Sequence, residues 1–407
     1  MPPSNIAFAP SRILLLSNIS LLVALLTACA APAPIATSEP TTSIAVGGAR
    51  VAAASDKPKL VPADWSALLG WQQDPAPDLA PSFIAFEKSC KALGKEPNWV
   101  RLCTEMPWKR LSGAALRAWV ETNFVPHQVV NGDGTTTGLF TGYYEPILKA
   151  SRTRRAPYLT PIYGVPDDLL TLDLGEVYPE LKNQRVRGRI DVATKKIVPY
   201  ASRAEIEAGK ANTRGKELFY LDDPIEAFFL EVQGSGRLNL SDGSSTRVNY
   251  ADQNGHPYRS IGRWLVDKGE LALSDASMQG IKDWVARNPA RLRELLGANP
   301  SYVFFREIKL TPQNANDGPL GALGLPLTAE VSMAVDRNVV PLGAPVYLAT
   351  TYPLSDRPLQ KLMVAQDTGG AIRGGVRGDF YWGSGAAAGV EAGRMRSQGS
   401  MWVLLPR

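Results

Sequence analysis

Only two histidines, His127 and His256, occur in the 407 residues of this chain. A three-histidine metal site is thereby excluded, and a Ser-His-Asp triad has little to draw on. Cysteine is almost as scarce. Cys29, Cys90 and Cys103 are the whole supply, too few for zinc-finger or iron–sulfur arrangements. No dense run of lysine or arginine occurs and the net charge is only +5, so no nucleic-acid partner is expected. With these groups missing, acid–base chemistry falls to carboxylates, and neither metal nor cofactor is expected. Turn formers are plentiful instead. The 36 glycines and 32 prolines favour many short strands over long helices. Hydrophobic residues at 44% and charged residues at 20% exclude disorder over the whole length. The length suits two or three domains, or one large one.

The N-terminus reads as an address. Arg12 gives a positive flank, and the stretch from Ile13 to Ala28 is mostly apolar. It is shorter than the ~20 residues a spanning helix needs, so residues 1–28 read as a signal peptide. It ends in Leu26-Thr27-Ala28-Cys29. Small residues before a cysteine resemble the bacterial lipobox, in which the cysteine is lipidated; an ordinary cleaved signal is the alternative. Ala30 follows the cysteine, with no aspartate to hold the protein at the inner membrane, so the periplasmic side of the outer membrane is expected. Residues 29–62 are rich in Ala, Pro, Ser and Thr without an aromatic residue. Such a segment buries no core and reads as a lipidated tether, reaching roughly 30 Å as a coil and about 110 Å stretched. In an oxidising periplasm the two remaining cysteines, Cys90 and Cys103, read as one disulfide, with two buried thiols as the alternative.

Helices are expected after Pro81-Ser82, after Ser112, after Asp222-Asp223-Pro224, over Tyr258 to Lys268, over Ser277 to Asn288 and over Arg291 to Leu296. Strands are expected at Leu139 to Tyr144, Tyr302 to Phe305, Pro345 to Thr350, Leu362 to Gln366 and Met401 to Leu405. Strand-rich ends flank a middle richer in helix and polar turns. That pattern predicts one β-domain built from both ends, with a second domain inserted, and a barrel with crossing connections rather than an open sheet.

Three motifs carry possible chemistry. Asp367 sits where an apolar strand meets Gly369-Gly370, and Asp379 precedes the aromatic run Phe380-Tyr381-Trp382. Two neighbouring carboxyls beside aromatic groups resist ionisation, which a general acid near neutral pH requires; both aspartates can equally be turn formers. Thr141, Tyr143, Tyr144 and Glu145 stand at a strand end and suit a sugar groove, although edge packing explains them too. Gln233, Gly234 and Ser235 follow the best-capped helix, where Gly-Ser-Gly either offers N–H groups to a ligand or simply caps the helix.

Taken in order, the segments Thr141–Pro146, Phe229–Gly236, Tyr258–Arg263, Asn299–Phe305, Pro341–Tyr347 and Asp367–Gly383 resemble the membrane-bound lytic murein transglycosylase A family from about Leu60 to the C-terminus. The resemblance implies a mainly β fold: a double-psi β-barrel from both ends of the chain, a smaller β-rich insert, and a groove between them. Its implied layout is a barrel over 63–148 and 309–407, the latter carrying the so-called 3D segment, with the insert over 149–308. It implies cleavage of the β-1,4 bond between N-acetylmuramic acid and N-acetylglucosamine, leaving a 1,6-anhydro end. Asp379 corresponds to the family's catalytic aspartate and Asp367 to its supporting neighbour. Peptidoglycan glycan strands are the expected partner of a monomer. A two-carboxylate peptidoglycan hydrolase and a non-catalytic peptidoglycan-binding lipoprotein are the competing readings.

Overall fold

The computed structural model describes residues 57–73, 78–181 and 186–407. The signal peptide over 1–28, the lipidation site Cys29 and the tether as far as residue 56 lie outside the described residues.

The chain opens with strand β1 (Lys59–Pro62), helices α1 (Ala80–Leu93), α2 (Val100–Glu105) and α3 (Gly113–Asn123), and strands β2 (Phe124–Val130) and β3 (Gly138–Glu145). Its end supplies five more sheet strands. To keep chain order, the middle comes first: β4 (Ile147–Ser151), β5 (Thr160–Tyr163), β6 (Leu170–Thr171), β7 (Arg187–Asp191), β8 (Lys196–Pro199), β9 (Glu217–Leu221), β10 (Ser235–Leu240), β11 (Ser245–Gln253) and β12 (Val303–Ile308). With them run helices α4 (Arg203–Glu207), α5 (Pro224–Gln233), α6 (Ile261–Asp267), α7 (Met278–Arg287) and α8 (Leu292–Gly297). The end comprises β13 (Ser332–Val335), β14 (Pro345–Thr351), β15 (Pro358–Asp367), β16 (Arg377–Ser384), helix α9 (Gly385–Arg394) and β17 (Arg396–Pro406).

Strands β1 to β3 and β13 to β17 form one eight-stranded sheet in the order β1-β2-β17-β14-β15-β13-β16-β3, and β17 also pairs with β3. The extra pairing closes a ring: β3, β17, β14, β15, β13, β16 and back to β3. One ring strand comes from before the insert and five from after it, so the barrel built from both ends is present. Two of the ring pairings, β16–β3 and β13–β15, are parallel, and parallel neighbours need crossing connections. The sheet extends further than expected at its start. Lys59 to Pro62, placed in the tether on composition, pair antiparallel with β2 from Lys59↔Val130 to Pro62↔His127. Leu60 supplies an apolar anchor against the core.

Helices α1 to α3 pack on this barrel through aromatic residues. Phe83, Phe86, Trp99, Trp108, Trp119 and Phe124 touch at ring separations of 5.3 to 6.4 Å. Helix α1 buries Phe83, Phe86, Cys90 and Leu93, the face its spacing predicts. A disulfide joins Cys90 on α1 to Cys103 on α2, with Cα atoms 5.2 Å apart. A loop of that size contributes on the order of 3 kcal/mol by restricting the unfolded chain.

The insert holds a six-stranded sheet, β12-β11-β10-β4-β9-β5, and a three-stranded one, β6-β7-β8. Helix α5 starts at Asp223, whose side chain accepts from the N–H of Ile225 at 2.9 Å. It stops at Gly234, which takes the left-handed conformation (φ 78°) that only glycine adopts without strain. Inside the insert, Arg203 is clamped by the Glu231 carboxylate at 2.9 and 2.7 Å and stacked between the Phe228 and Tyr302 rings.

Candidate active site

Strand register decides which carboxyls meet. On β13, Ala334 pairs with Asp367 of β15 on one side and with Asp379 of β16 on the other. Asp379 pairs in turn with Thr141 of β3, and Thr141 with Arg396 of β17. One row across the barrel therefore reads Asp367, Ala334, Asp379, Thr141, Arg396, and residues level with one another on neighbouring strands share a face.

Asp367 joins this row only because of a bulge. Met333 pairs with Ala365 and Ala334 with Asp367, so Gln366 is the extra residue. Without it Gln366 would take the register position, and the aspartate would point to the opposite face. The bulge is tied down from within. The Gln366 amide donates to the Ala85 carbonyl (3.0 Å) and to Ser89 (2.9 Å), and its oxygen accepts from Ser332 (2.5 Å).

The two aspartates differ in their hydrogen bonds. Asp367 accepts three: from the Tyr143 hydroxyl at 3.0 Å, the Ala322 N–H at 3.0 Å and the Thr368 N–H at 2.9 Å. The Ala322 contact depends on a close approach. A Cβ on neighbouring Gly321 would lie 2.5 Å from the Gln366 carbonyl oxygen, so only glycine lets this loop lie against the end of β15. Asp379 accepts one side-chain hydrogen bond, from the Thr141 hydroxyl at 2.7 Å. Thr141 itself accepts from Arg377 Nη2 at 2.9 Å.

Both carboxyls are half-buried, and burial pushes each up from its ordinary value of 3.8 to about 6. For Asp367 the three donors oppose that push and the nearby Asp379 adds to it; for Asp379 the opposition comes from Thr141 and the Arg377 cation. A carboxyl titrating near 6 can give and recover a proton close to neutral pH. Burial and then Asp367 hold the Tyr143 phenol well above its usual range, so it stays a donor.

The remaining predicted binding residues serve the framework. The Tyr143 ring is 8% exposed and packs on Tyr381 at 5.2 Å, leaving no open face for a sugar. Tyr144 is as deeply buried, with its hydroxyl 3.8 Å from the Met278 sulfur. Glu145 is fully buried. It accepts from Arg247 Nε at 2.6 Å, Arg237 Nε at 3.0 Å and the Ser384 hydroxyl at 2.6 Å. The same two arginines also bind the carbonyls of Ala315 and Asp317 on the returning chain. The physical reason is topological. β3 is a ring strand, flanked on both edges and covered by α9, so its side chains are spent on packing and on the junction with the insert. Gln233 spends its amide oxygen on the N–H of Tyr144 (2.9 Å), Gly234 is the cap of α5, and Ser235 is buried at the start of β10. Thr141, expected to touch substrate, donates to Asp379. Arg377, the Ala322 N–H and the Gln366 bulge were not foreseen. Arg377 was readable as a neighbour of Asp379, since residues two apart on a strand share a face, but only with β16 recognised as a strand.

A cavity of about 500 Å³ lies on the insert, lined by Arg259, Arg263, Trp264 and Pro300 among others, and neither aspartate lines it. The carboxyls thus lie in neither this cavity nor the one of about 340 Å³ at Trp99 and Leu323.

Comparison with known proteins gives a consistent outcome. Residues 139–306 match the MltA specific insert domain and residues 331–405 the 3D domain. The chain is 36% identical over 286 residues, 68% of each sequence, to membrane-bound lytic murein transglycosylase A of Escherichia coli (strain K12). It resembles the crystal structure of MltA from Neisseria gonorrhoeae with a TM-score of 0.69 at 39% identity, covering 85% of this chain and 92% of that one. It also resembles E. coli MltA with bound chitohexaose, with a TM-score of 0.64 at 29% identity, over 88% and 98% of the two chains.

Proposed function

The chain belongs to the membrane-bound lytic murein transglycosylase A family, and from that premise we propose that it cleaves the β-1,4 bond between N-acetylmuramic acid and N-acetylglucosamine in peptidoglycan, closing a 1,6-anhydro ring with Asp379 as sole acid and base. The observation that carries this reading is the asymmetry of the two aspartates. Asp367 has both oxygens engaged by three donors, which leaves neither open to a reacting group. Asp379 has one hydrogen-bonding side-chain partner, on Oδ1, so its other oxygen stays open to a reacting group; both carboxyls titrate near 6, and it is this open oxygen that separates them.

The steps balance without water. Asp379 gives its proton to the glycosidic oxygen, and the bond from that oxygen to the muramyl anomeric carbon breaks, its electron pair leaving with the oxygen. The muramyl 6-hydroxyl then bonds to the anomeric carbon, and its proton returns to Asp379. The attacking hydroxyl is already part of the sugar, so intramolecularity supplies positioning that a hydrolase obtains by binding water with a second carboxylate. The muramyl N-acetyl carbonyl shelters the anomeric charge between the two steps. Asp367 supports the site as a neighbouring carboxyl in the same cross-barrel row, held in place by its three donors.

Digestion of purified sacculi in ¹⁸O-labelled water tests the reading. Muropeptides ending in 1,6-anhydro-muramic acid, one water lighter than hydrolysis products and free of ¹⁸O, are expected. Reducing ends that carry ¹⁸O would replace it with the two-carboxylate hydrolase.

Cys29 is the proposed lipid attachment point, tethering the enzyme on the periplasmic side of the outer membrane within reach of its polymer. The lipobox-like Leu26-Thr27-Ala28-Cys29 supports this. The Cys29→Ala chain should leave the membrane fraction for the soluble periplasm; its continued sedimentation with outer membrane would exclude the anchor.

A further inference from the structure

The geometry points to Arg377 as a positioning residue that acts through Thr141: by donating to the Thr141 hydroxyl oxygen it directs that hydroxyl's proton onto Asp379 Oδ1 and leaves Oδ2 as the oxygen that gives and recovers the reacting proton. This rests on the reading of Asp379 as the acid and goes beyond it, because it assigns the proton to one oxygen and a duty to a residue with no part in the chemical steps.

The chain of donors has a direction. Arg377 Nη2 donates to Thr141 Oγ1 at 2.9 Å, and Thr141 Oγ1 donates to Asp379 Oδ1 at 2.7 Å. A hydroxyl has one proton and two lone pairs. A guanidinium has only donors, so the arginine fixes one lone pair of Thr141 as an acceptor. The threonine proton then finds its partner in Oδ1, the other atom it contacts. A proton on Oδ1 would face the threonine proton head-on or strand it without an acceptor in a half-buried site, an arrangement that costs a hydrogen bond. The acid form therefore carries its proton on Oδ2.

Arg377 is itself held still. Nη1 donates to the Leu139 carbonyl at 3.2 Å and to the Gly378 carbonyl, and Arg377 pairs in register with Leu139, two residues before Thr141 on the same strand. No carboxylate within salt-bridge distance neutralises it among the described residues. Around Asp379 the other charged or titratable groups are Asp367 on β15, Tyr143 on β3, Tyr381 two residues on along β16 and, across Thr141, the exposed Arg396 on β17; β13 contributes the uncharged Ala334 to the row. None of these groups other than Asp379 hydrogen-bonds to the Thr141 hydroxyl, so its orientation depends on Arg377.

The test is a double-mutant cycle in the full chain, assayed on purified sacculi with kcat, KM and pH profile measured separately. Arg377→Met should lower kcat at least about tenfold with KM little changed, as expected when a reacting group is misoriented. The basic limb of the kcat profile should move to higher pH, because a cation and a hydrogen bond that favour the carboxylate are lost. Thr141→Val should do the same, and adding Arg377→Met to it should lower kcat little further. Arg377→Lys keeps the charge but not the fork and should fall between; it also carries the test should the Met variant fail to fold. Wild-type kcat and profile in folded Arg377→Met or Arg377→Lys would overturn the inference. So would an Arg377→Met loss in kcat that is the same in the parent as in the Thr141→Val background. Asp379→Asn is run beside them. If it keeps turnover, the acid assignment itself is wrong; if it is inactive while Arg377→Met is normal, only the relay is wrong.

Discussion

Asp379→Asn is expected to fold, to bind glycan strands and to turn over at least about 10² to 10⁴ times more slowly than the parent, the range associated with loss of general acid–base catalysis. Asparagine nearly matches the shape of aspartate and can still accept from Thr141, but it neither gives nor recovers the proton. Asp367→Asn should lose less, since Asp367 touches no reacting atom in the proposed steps. The Asp379→Asn variant should also be more stable than the parent at neutral pH. The folded state raises the Asp379 carboxyl from 3.8 to about 6, so the folded protein binds that proton more tightly than the unfolded chain. The resulting penalty develops as pH rises from about 4 to about 6 and is complete above that, reaching about 2–3 kcal/mol. Urea unfolding of parent and variant at about pH 7.5 and pH 4 checks the sign: the advantage of the variant should be large at the first and nearly absent at the second. Near-normal turnover would remove Asp379 as the acid, and an advantage independent of pH would remove burial as the cause of its raised pKa.

Glu145→Ala is expected to be the most destabilising single change at the junction of barrel and insert, at about 3–5 kcal/mol. Arg247 has only 2% of its side chain exposed and donates to Glu145 at 2.6 Å. Removing the carboxylate leaves that charge buried with only the Asp317 carbonyl as partner, and takes from the Ser384 hydroxyl its shorter hydrogen bond, leaving it the Tyr381 hydroxyl. Glu145→Gln should lose less, because it retains acceptor capacity. Thermal or urea unfolding measures both. An Ala variant as stable as the parent would mean that the arginines reach water and that the junction does not rest on this carboxylate. The two changes should separate cleanly: the one at Asp379 should spare the fold and stop the reaction, whereas the one at Glu145 should loosen the fold.

Much of the architecture was legible in the sequence, for definable reasons. Asp223-Pro224 at a helix start and Gly234 at its stop carry their own geometry, and α5 runs between them. The apolar spacing of Phe83, Phe86, Cys90 and Leu93 predicted the buried face of α1. Strands β14, β15 and β17 are apolar runs long enough to name themselves. By contrast, β2 contains Pro126, which reads as a strand breaker; it is tolerated with its carbonyl accepting from Ala63. β16 begins Arg377-Gly378-Asp379, which reads as a turn, and α9 holds three glycines, which read as a loop. The pair of aspartates was legible as residues, but the bulge at Gln366 that brings them to one face was not, since register is a property of two strands and not of one. The packing alternative for the tyrosines has a related basis. An aromatic pair at a strand end suits a groove if the strand is an edge, and β3 has neighbours on both sides.

The proposed reacting row unites Thr141, made early in the chain, with Asp379, made 238 positions later, and the strand that completes the ring beside Thr141 is β17. No nascent chain that lacks β17 contains a closed ring, however much of it has been synthesised. Pairings so distant in sequence form late and slowly. An unfinished chain of this protein is thus without the proposed reacting row, which comes together only when the whole polypeptide has folded.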